Sequence, residues 1–343
     1  MTLYNVETFT PTLVNNSHDL VQDVEHKIDY LNLTDNTIKS SYITANKGDY
    51  IRIKSDAREF FGTITGIEPG DTETKITYYP FHLAFDVDIH YDYSLLTSQS
   101  LETWLKNIIT AQFINNADTA QNITGLIVTA SSTTPNALLG LTENIGNLFS
   151  IMTTAFLNYG ITITVSFDPQ AKIITVNIGK NTESKITIEA DLPNIISPEF
   201  TFKKTTESYN KLVVYNKDNE SEFLVYYKHT DDTISTTNSN RITPVLFDTV
   251  FTTVPSGGTF STASYDLAFN TLTAEKYNNL IELTVCSDDG LVKPDELKIG
   301  QETNIIYKDS AYTTVLTGFE YKETTKLIFG AVRTEFTKIW KRR

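Results

Sequence analysis

Apolar residues along this chain fall mostly on alternate positions, in short runs closed by turn residues. Tyr50-Ile51-Arg52-Ile53-Lys54 alternates, Ser55-Asp56-Ala57 turns the chain into Phe60 to Ile67, and Gly70-Asp71 turns it again before Lys75 to Tyr79. A period of two marks a half-buried strand, because successive side chains point to opposite faces. Residues 1–93 therefore read as a first β-barrel-like domain. Residues 94–190 change period and read as an α+β insert. Leu101, Trp104, Leu105, Ile108, Ile109 and Phe113 share one helical face, with Ser98 or Ser100 as N-cap and Glu102 in the first turn. A second helix is expected near Thr142 to Tyr159, with a stripe of Leu148, Phe149, Met152, Ala155 and Phe156 and Gly160 closing it. "ITITVSF" and "KIITVNI" then flank Asp168-Pro169-Gln170-Ala171, which predicts a hairpin.

Residues 191–343 return to strands, including "NKLVVYN", "EFLVYYKH", "ETNIIYK" and "YTTVLTGFEY". They read as a second β-barrel-like domain with a small α+β insert near 240–285. "DDTISTTNSNRITP" is polar enough to be a long loop. "SYDLAFNTLTAEKYNNL" suggests one more helix, with Thr273 as N-cap, Glu275 in its first turn and Leu280 inward. The fold class is α+β, β-dominated, with two barrel-like β domains carrying α+β inserts.

Two distant segments can be laid over each other. "GDYIRIKSDAREFFGTITGIE" starts at Gly48, and "GQETNIIYKDSAYTTVLTGFE" starts at Gly300. In each, a second glycine follows 18 residues later, at Gly66 and Gly318. Lys54-Ser55-Asp56 corresponds to Lys308-Asp309-Ser310, and Thr65-Gly66-Ile67-Glu68 to Thr317-Gly318-Phe319-Glu320. Lys75-Ile76 then matches Lys326-Leu327. The reading is two copies of one strand–turn–strand element, one in each barrel-like domain. The bland alternative is that any pair of glycine-bounded hairpins looks this way.

Composition narrows the chemistry. With 28 Lys and Arg against 42 Asp and Glu, the net charge is −14, which disfavours stable grip on phosphate backbones. A single cysteine, Cys286, excludes an intramolecular disulfide and a cysteine zinc cage, and "IELTVCSDD" places it as a small buried strand residue. The N-terminus lacks a basic stretch followed by an apolar one, and no run is long enough for a membrane helix, so neither a signal peptide nor a transmembrane segment is expected. There is no His-Glu-x-x-His, no Gly-x-Ser-x-Gly and no Cys–His pair. Gly140 and Gly146 stand six residues apart, one more than in a P-loop, and the Lys and Ser/Thr that a P-loop requires do not follow. Asp231-Asp232 and Asp288-Asp289 read as solvated turns, although paired carboxylates for glycoside hydrolysis stay open. "FHLAFDVDIHYDY", taken as a strand, would put His82, Asp86, Asp88, His90 and Asp92 on one face. Those oxygen and imidazole groups could hold a divalent ion, or simply form a solvated face. His18 and His26 have no nameable partner, and His229 is expected to be exposed. No cofactor is expected.

The order of parts resembles the tail-hub proteins of phages. "KGDYIRI…GTITGIE" (Lys47 to Glu68) looks like the first barrel of that family, and Leu297 to Val332 like the second. "ALLGLTENIGNLFSIMTTAFLNYGITITVSFDPQAKIITVNI" is similar to its helix–hairpin segment. The prophage tail protein of Listeria-like Gram-positive hosts and the N-terminal module of tail-associated lysins are the nearest in pattern. A C-terminal hydrolase or fibre, common among relatives, is not present before Arg343. The resemblance implies a non-enzymatic structural protein of the virion tail tip, made in the bacterial cytoplasm. It implies a homotrimer whose barrels form a quasi-sixfold ring matching a hexameric tail tube to a threefold tip. The partners implied are the distal tail protein, the tape-measure protein and a tail fibre or receptor-binding protein, with DNA passing only transiently through an acidic lumen. Gly48, Tyr50, Ile51, Gly66, Gly300, Ile305, Ile306 and Gly318 are the implied ring contacts. The basic end, Lys338 and Lys341-Arg342-Arg343, would dock an acidic neighbour or trail as a solvated tail. Two other readings remain beside the hub. A receptor- or glycan-binding module would need exposed rings, yet the tryptophans are only Trp104 and Trp340. A peptidoglycan hydrolase would need a clefted carboxylate pair or a metal on the His82–Asp92 strand.

Overall fold

A computed structural model describes residues 3–330, except 23, 25, 31–32, 56–58, 135–136, 138, 140, 142–143, 194, 202–208, 231–232, 255–257, 274–279, 287–291, 308–309 and 323. The first region holds β1 (Tyr4–Phe9), β2 (Asn15–Val21), β3 (His26–Asp29), β4 (Asn36–Ser40), β5 (Tyr50–Lys54), β6 (Glu59–Pro69) and β7 (Thr74–Pro80). Next come β8 (Asp88–His90), α1 (Leu101–Phe113), β9 (Leu126–Ala130), β10 (Ile145–Asn147), α2 (Leu148–Tyr159), β11 (Ile161–Asp168) and β12 (Ile173–Lys180). β13 (Ile186–Glu189), β14 (Ile195–Thr201), β15 (Lys211–Asn216), β16 (Asn219–Lys228), β17 (Ile234–Ser235) and β18 (Phe247–Thr252) follow. The last elements are α3 (Phe260–Thr273), β19 (Leu280–Val285), β20 (Glu302–Tyr307), β21 (Ser310–Tyr321) and β22 (Thr325–Phe329).

Two curled half-barrel sheets dominate. The first runs β2-β1-β5-β6-β7-β4, and the second β13-β20-β21-β22-β19-β14. β3 leaves the first sheet in sequence but pairs β21 of the second, with His26 opposite Tyr321 and Asp29 opposite Gly318. One strand thus stitches the half-barrels together, a long-range pairing that alternation cannot reveal. A three-stranded sheet, β11-β12-β9, packs under α1 and α2. A four-stranded sheet, β17-β16-β15-β18, packs on α3.

Local chemistry explains the helices. Ser100 begins α1 by accepting the Thr103 amide at 3.3 Å, and Leu101, Trp104, Leu105 and Ile109 are buried along one face. Burying each such aliphatic side chain contributes about 1.5–3 kcal/mol. Asn147 caps α2 through the Ser150 amide at 2.9 Å, and Gly160 ends it at φ 68°. α2 starts later than expected because Ile145–Asn147 pairs with β8 instead of coiling. The hairpin of β11 and β12 forms where expected, with Asp168 paired to Ile173 and accepting the Gln170 and Ala171 amides.

The third helix corrects an expectation. It ends, rather than begins, at Thr273. Thr259 caps it by accepting the Thr262 amide at 3.3 Å, and Phe260, Ser264, Ala268 and Leu272 form its buried stripe. Glu275 lies outside the described residues, and Leu280 opens a strand. The polar loop after His229 is also partly structured, since Ile234–Ser235 pairs β16 and Arg241 bridges His229. His229 is buried, not exposed, and its Nε2 meets Ser235 Oγ at 2.9 Å. Cys286 is half-buried and lies one residue past β19.

Candidate functional site

The two half-barrels share one frame, down to individual hydrogen bonds. Gly48 donates its amide to Ile64 O at 2.8 Å, and Gly300 donates to Leu316 O at 2.8 Å. Ile64 N returns to Asp49 O at 2.8 Å, as Leu316 N does to Gln301 O at 3.1 Å. Both glycines hold positive φ, 95° and 83°, a conformation that side-chain-bearing residues rarely adopt. In each frame the register slips by one residue at the second glycine: between Ile64 and Gly66, and between Leu316 and Gly318. The intervening hydroxyl bonds the partner strand in both, Thr65 to Thr77 O at 3.4 Å and Thr317 to Ile328 O at 3.2 Å. A bulge of this kind bends and twists the strand, so the same curl is built twice from the same residues. Glu68 faces Lys75, as Glu320 faces Lys326. The ions then re-partner: Lys75 keeps Glu68 at 3.3 Å, whereas Lys326 binds Glu282 at 3.1 Å.

Four of the eight frame residues read from sequence as ring contacts are buried within the chain. β5 and β20 are interior strands, and Tyr50, Ile51, Ile305 and Gly318 are buried within the chain. Gly66, Gly300 and Ile306 are half-buried, and Gly48 is exposed on its turn. These side chains shape the sheets, and the outer edges are β2 and β4 in the first sheet and β13 and β14 in the second. Lys308 and Asp309 of the second turn lie outside the described residues.

The acidic segment does not form the single strand expected of it. Phe81–Phe85 is a 3-10 turn, β8 covers only Asp88–His90, and Tyr93–Thr97 is a second 3-10 turn. Ala84 breaks the alternation, while Phe81 packs on Phe61 at 5.6 Å and Phe85 on Phe113 at 5.4 Å. His82 points inward to the Ile163 carbonyl at 2.8 Å, and burial pushes its pKa down despite that bond. Asp86 accepts from Asn147 at 2.9 Å and Asp92 from Ser94, so the set is dispersed. Among the described residues no group of three His, Cys, Asp or Glu side chains could hold a metal ion. Trp104 is no glycan platform either, being buried with its indole N–H on Asp92 O at 2.9 Å. Asp231-Asp232, Asp288-Asp289, Gly140, Trp340 and the basic end lie outside the described residues.

Two buried carboxyls behave oppositely. Glu102 is fully buried and accepts from Ser131 Oγ and from both the amides and the hydroxyls of Thr133 and Thr134. Burial opposes its ionisation, but those bonds outweigh burial and hold the pKa below the usual range. Asp266 on α3 has no hydrogen-bond partner for Oδ1, and burial raises its pKa to about 7.

One surface was not singled out from sequence. The inner face of the four-stranded sheet, with Leu212, Val214 and Tyr226, covers α3. The outer face is a three-by-three grid. Its rows are Tyr227–Lys211–Phe247, Val225–Val213–Thr249 and Phe223–Tyr215–Phe251. Phe223, Phe247 and Phe251 are 50%, 61% and 55% exposed. The available signal was apolar residues on both parities of "KLVVYN" together with the spacing Phe247-x-x-x-Phe251.

Comparison with solved structures shows a crystal structure of prophage tail protein gp18 from Listeria monocytogenes at TM-score 0.52, 12% identity, covering 98% of this chain and 97% of that one. The chain has a phage tail-protein fold. A chain of the phage P2 baseplate, in its activated conformation with Ca, aligns at TM-score 0.48 and 12% identity, covering 98% of this chain and 100% of its own length. The 43 kDa tail protein of prophage MuSo2 from Shewanella oneidensis aligns at 0.49 and 13%, covering 97% and 95%. No protein-family model matches this sequence, and neither does any curated protein. No helix among the described residues of this tail-protein fold is long and apolar enough to cross a membrane.

Proposed function

We propose that the chain is a non-enzymatic structural hub of a phage or prophage tail. Three copies would close into a ring at the virion tail tip. The observation that carries this reading is the frame built twice, with the same bulge, register and turn hydrogen bonds. Two like half-barrels per chain give six in a threefold ring, which offers a hexameric tube six similar seats. One chain thereby adapts sixfold to threefold symmetry, and closed rings of this type use heterologous contacts. The burial of Tyr50, Ile51 and Ile305 moves the expected contacts outward, to the turns of Gly48 and Gly300 and the edges β2 and β13. The net charge of −14 suits a lumen that DNA crosses without sticking, because like charge repels phosphate. The distal tail protein, the tape-measure protein and a fibre or receptor-binding protein are the partners such a ring would meet.

Electron microscopy of the chain assembled with its tail tests this reading. Three copies should give six similar densities at one radius around a channel. Half-barrels at two different radii, or an open assembly, would overturn it. Release of peptidoglycan fragments by the folded chain would overturn the non-enzymatic part.

A further inference from the structure

Among the described residues nothing covers the aromatic face of the four-stranded sheet. Its opposite face is taken by α3, and three phenylalanines stand half or more exposed on the free side. Burying a Phe side chain gains about 1.5–3 kcal/mol relative to leaving it in water, and contiguous apolar surface of this kind marks an interaction site. The charges on the face are cationic. Lys211 Nζ lies 5.4 Å from the Phe247 ring centre and 5.9 Å from that of Tyr227, and Arg241 lies 5.6 Å over Tyr227. Both cations belong to a chain whose net charge is −14.

A complementary surface exists on the same molecule. On the outward face of the β8–β10 ribbon Ile145 is 62% exposed opposite His90, and in the turn that follows β8 Leu95 is 47% exposed. Asp88 shares that face, and Asp86 and Asp92 lie within two residues of β8, all exposed. The two surfaces do not face each other within one chain. Tyr159 at the end of α2, the helix that follows β10 directly, stacks on Phe269 of α3 at 5.7 Å, on the covered side of the sheet. The aromatic grid looks the other way.

We propose that the aromatic face receives a neighbouring copy of this chain, docking on the aspartate-rimmed ribbon β8–β10 of that copy. The partner's identity as a second copy rests on the ring reading above. The contact joins unlike patches and so is heterologous, which closes a ring when the rotation permits. Rings on the grid pack against Leu95 and Ile145 of the neighbour, while Lys211 and Arg241 meet its aspartates. With strands ~4.8 Å apart and rows ~6.7 Å apart, the grid measures roughly 10 by 13 Å between Cα centres. A stable interface buries about 800 Å² per partner, so the grid is the apolar centre and the charged pairs form its rim.

Sedimentation of the full chain over a range of concentrations tests the contact. The wild type should associate, and Phe251→Glu should weaken association at least about tenfold, because it removes an aromatic anchor and places a charge in the contact. Thr249→Arg, at an exposed polar position, should do the same without touching any core. Lys211→Glu should weaken association about threefold to tenfold, and adding Asp88→Lys should restore it. Circular dichroism melting of each variant checks that the fold is intact. A wild type monomeric at every concentration overturns the proposal, as does association unchanged in both Phe251→Glu and Thr249→Arg. A threefold particle unaffected by these variants overturns this contact and leaves the ring reading standing. A wild-type assembly broken by them but twofold in mass overturns the ring reading and leaves the aromatic face as a self-contact.

Discussion

The two frames use the same hydrogen bonds but live in different surroundings. A Cβ added at Gly48 would meet nothing within 4 Å, whereas one at Gly300 would stand 2.7 Å from Thr162 Cγ2 of the first insert. At Gly66 the nearest atom would be Thr77 Cβ at 3.3 Å, but at Gly318 it would be the backbone oxygen of Ile28 at 2.8 Å. At these glycines the second frame is the more tightly packed, and the first carries β11 elsewhere, through Phe61 stacked on Phe167 at 4.6 Å. Both β3 and the first insert press against the glycines of the second frame, while the first frame leaves its turn free. A repeated local structure can thus carry unequal load, because load is set by what packs on it.

Gly318→Ala should have the largest effect, about 3 kcal/mol of destabilisation, since a backbone carbonyl cannot step aside without parting β3 from β21. Gly66→Ala should lose only about 1 kcal/mol, because the Thr77 side chain can shift. Chemical denaturation of the pair checks the ratio, and equal losses would break the comparison. Gly300→Ala should lose about 2–3 kcal/mol, strain plus the Thr162 clash, against about 1 kcal/mol for Gly48→Ala, strain alone.

The inserts extend the contrast to pH. Glu102 has a lowered pKa in the fold, so its stabilisation is present above the ordinary carboxylate range and fades as pH falls through the folded value. Glu102→Gln should lose about 2 kcal/mol at neutral pH and progressively less in acid, because the amide nitrogen faces donors. Asp266 has its pKa raised to about 7, so the folded state binds the extra proton between about 4 and 7 and stability falls as pH rises through that window. Asp266→Asn should flatten that fall. Melting temperatures between about pH 3 and pH 5 read the Glu102 slope and those between about pH 5 and pH 8 the Asp266 slope, and the same sign for the two acids would refute the contrast. The ion pairs give the smallest difference. Lys75→Ala breaks an exposed pair worth under about 0.5 kcal/mol, while Lys326→Ala breaks the more sheltered pair with Glu282 and should lose about 1 kcal/mol.

Much of the frame was legible because it is local. The glycine spacing, the Thr-Gly step and the lysine strand each specify a turn, a bulge or a register within about thirty residues. The α1 stripe, the Ser100 cap and the β11–β12 hairpin were legible for the same reason. His82 through Asp92 misled, since a polar alternation looks the same whether its side chains share a face or scatter over two turns and a short strand. The error at Thr273 has a similar root: Thr259 and Thr273 are equal as caps in sequence, and only the packing of Phe260, Ala268 and Leu272 on β15 and β16 chooses between them.

The sequence by itself determined the β-rich class and the repeated strand–turn–strand element, because these depend on residue type at short range. Only the tertiary structure decided that β3 crosses to the second half-barrel, that Tyr50, Ile51, Ile305 and Gly318 are buried within the chain, and that an aromatic sheet face is left uncovered by the described residues. Each of those follows from which surfaces meet across hundreds of residues, where burial of apolar area and satisfaction of backbone hydrogen bonds select one pairing among many that the local pattern allows.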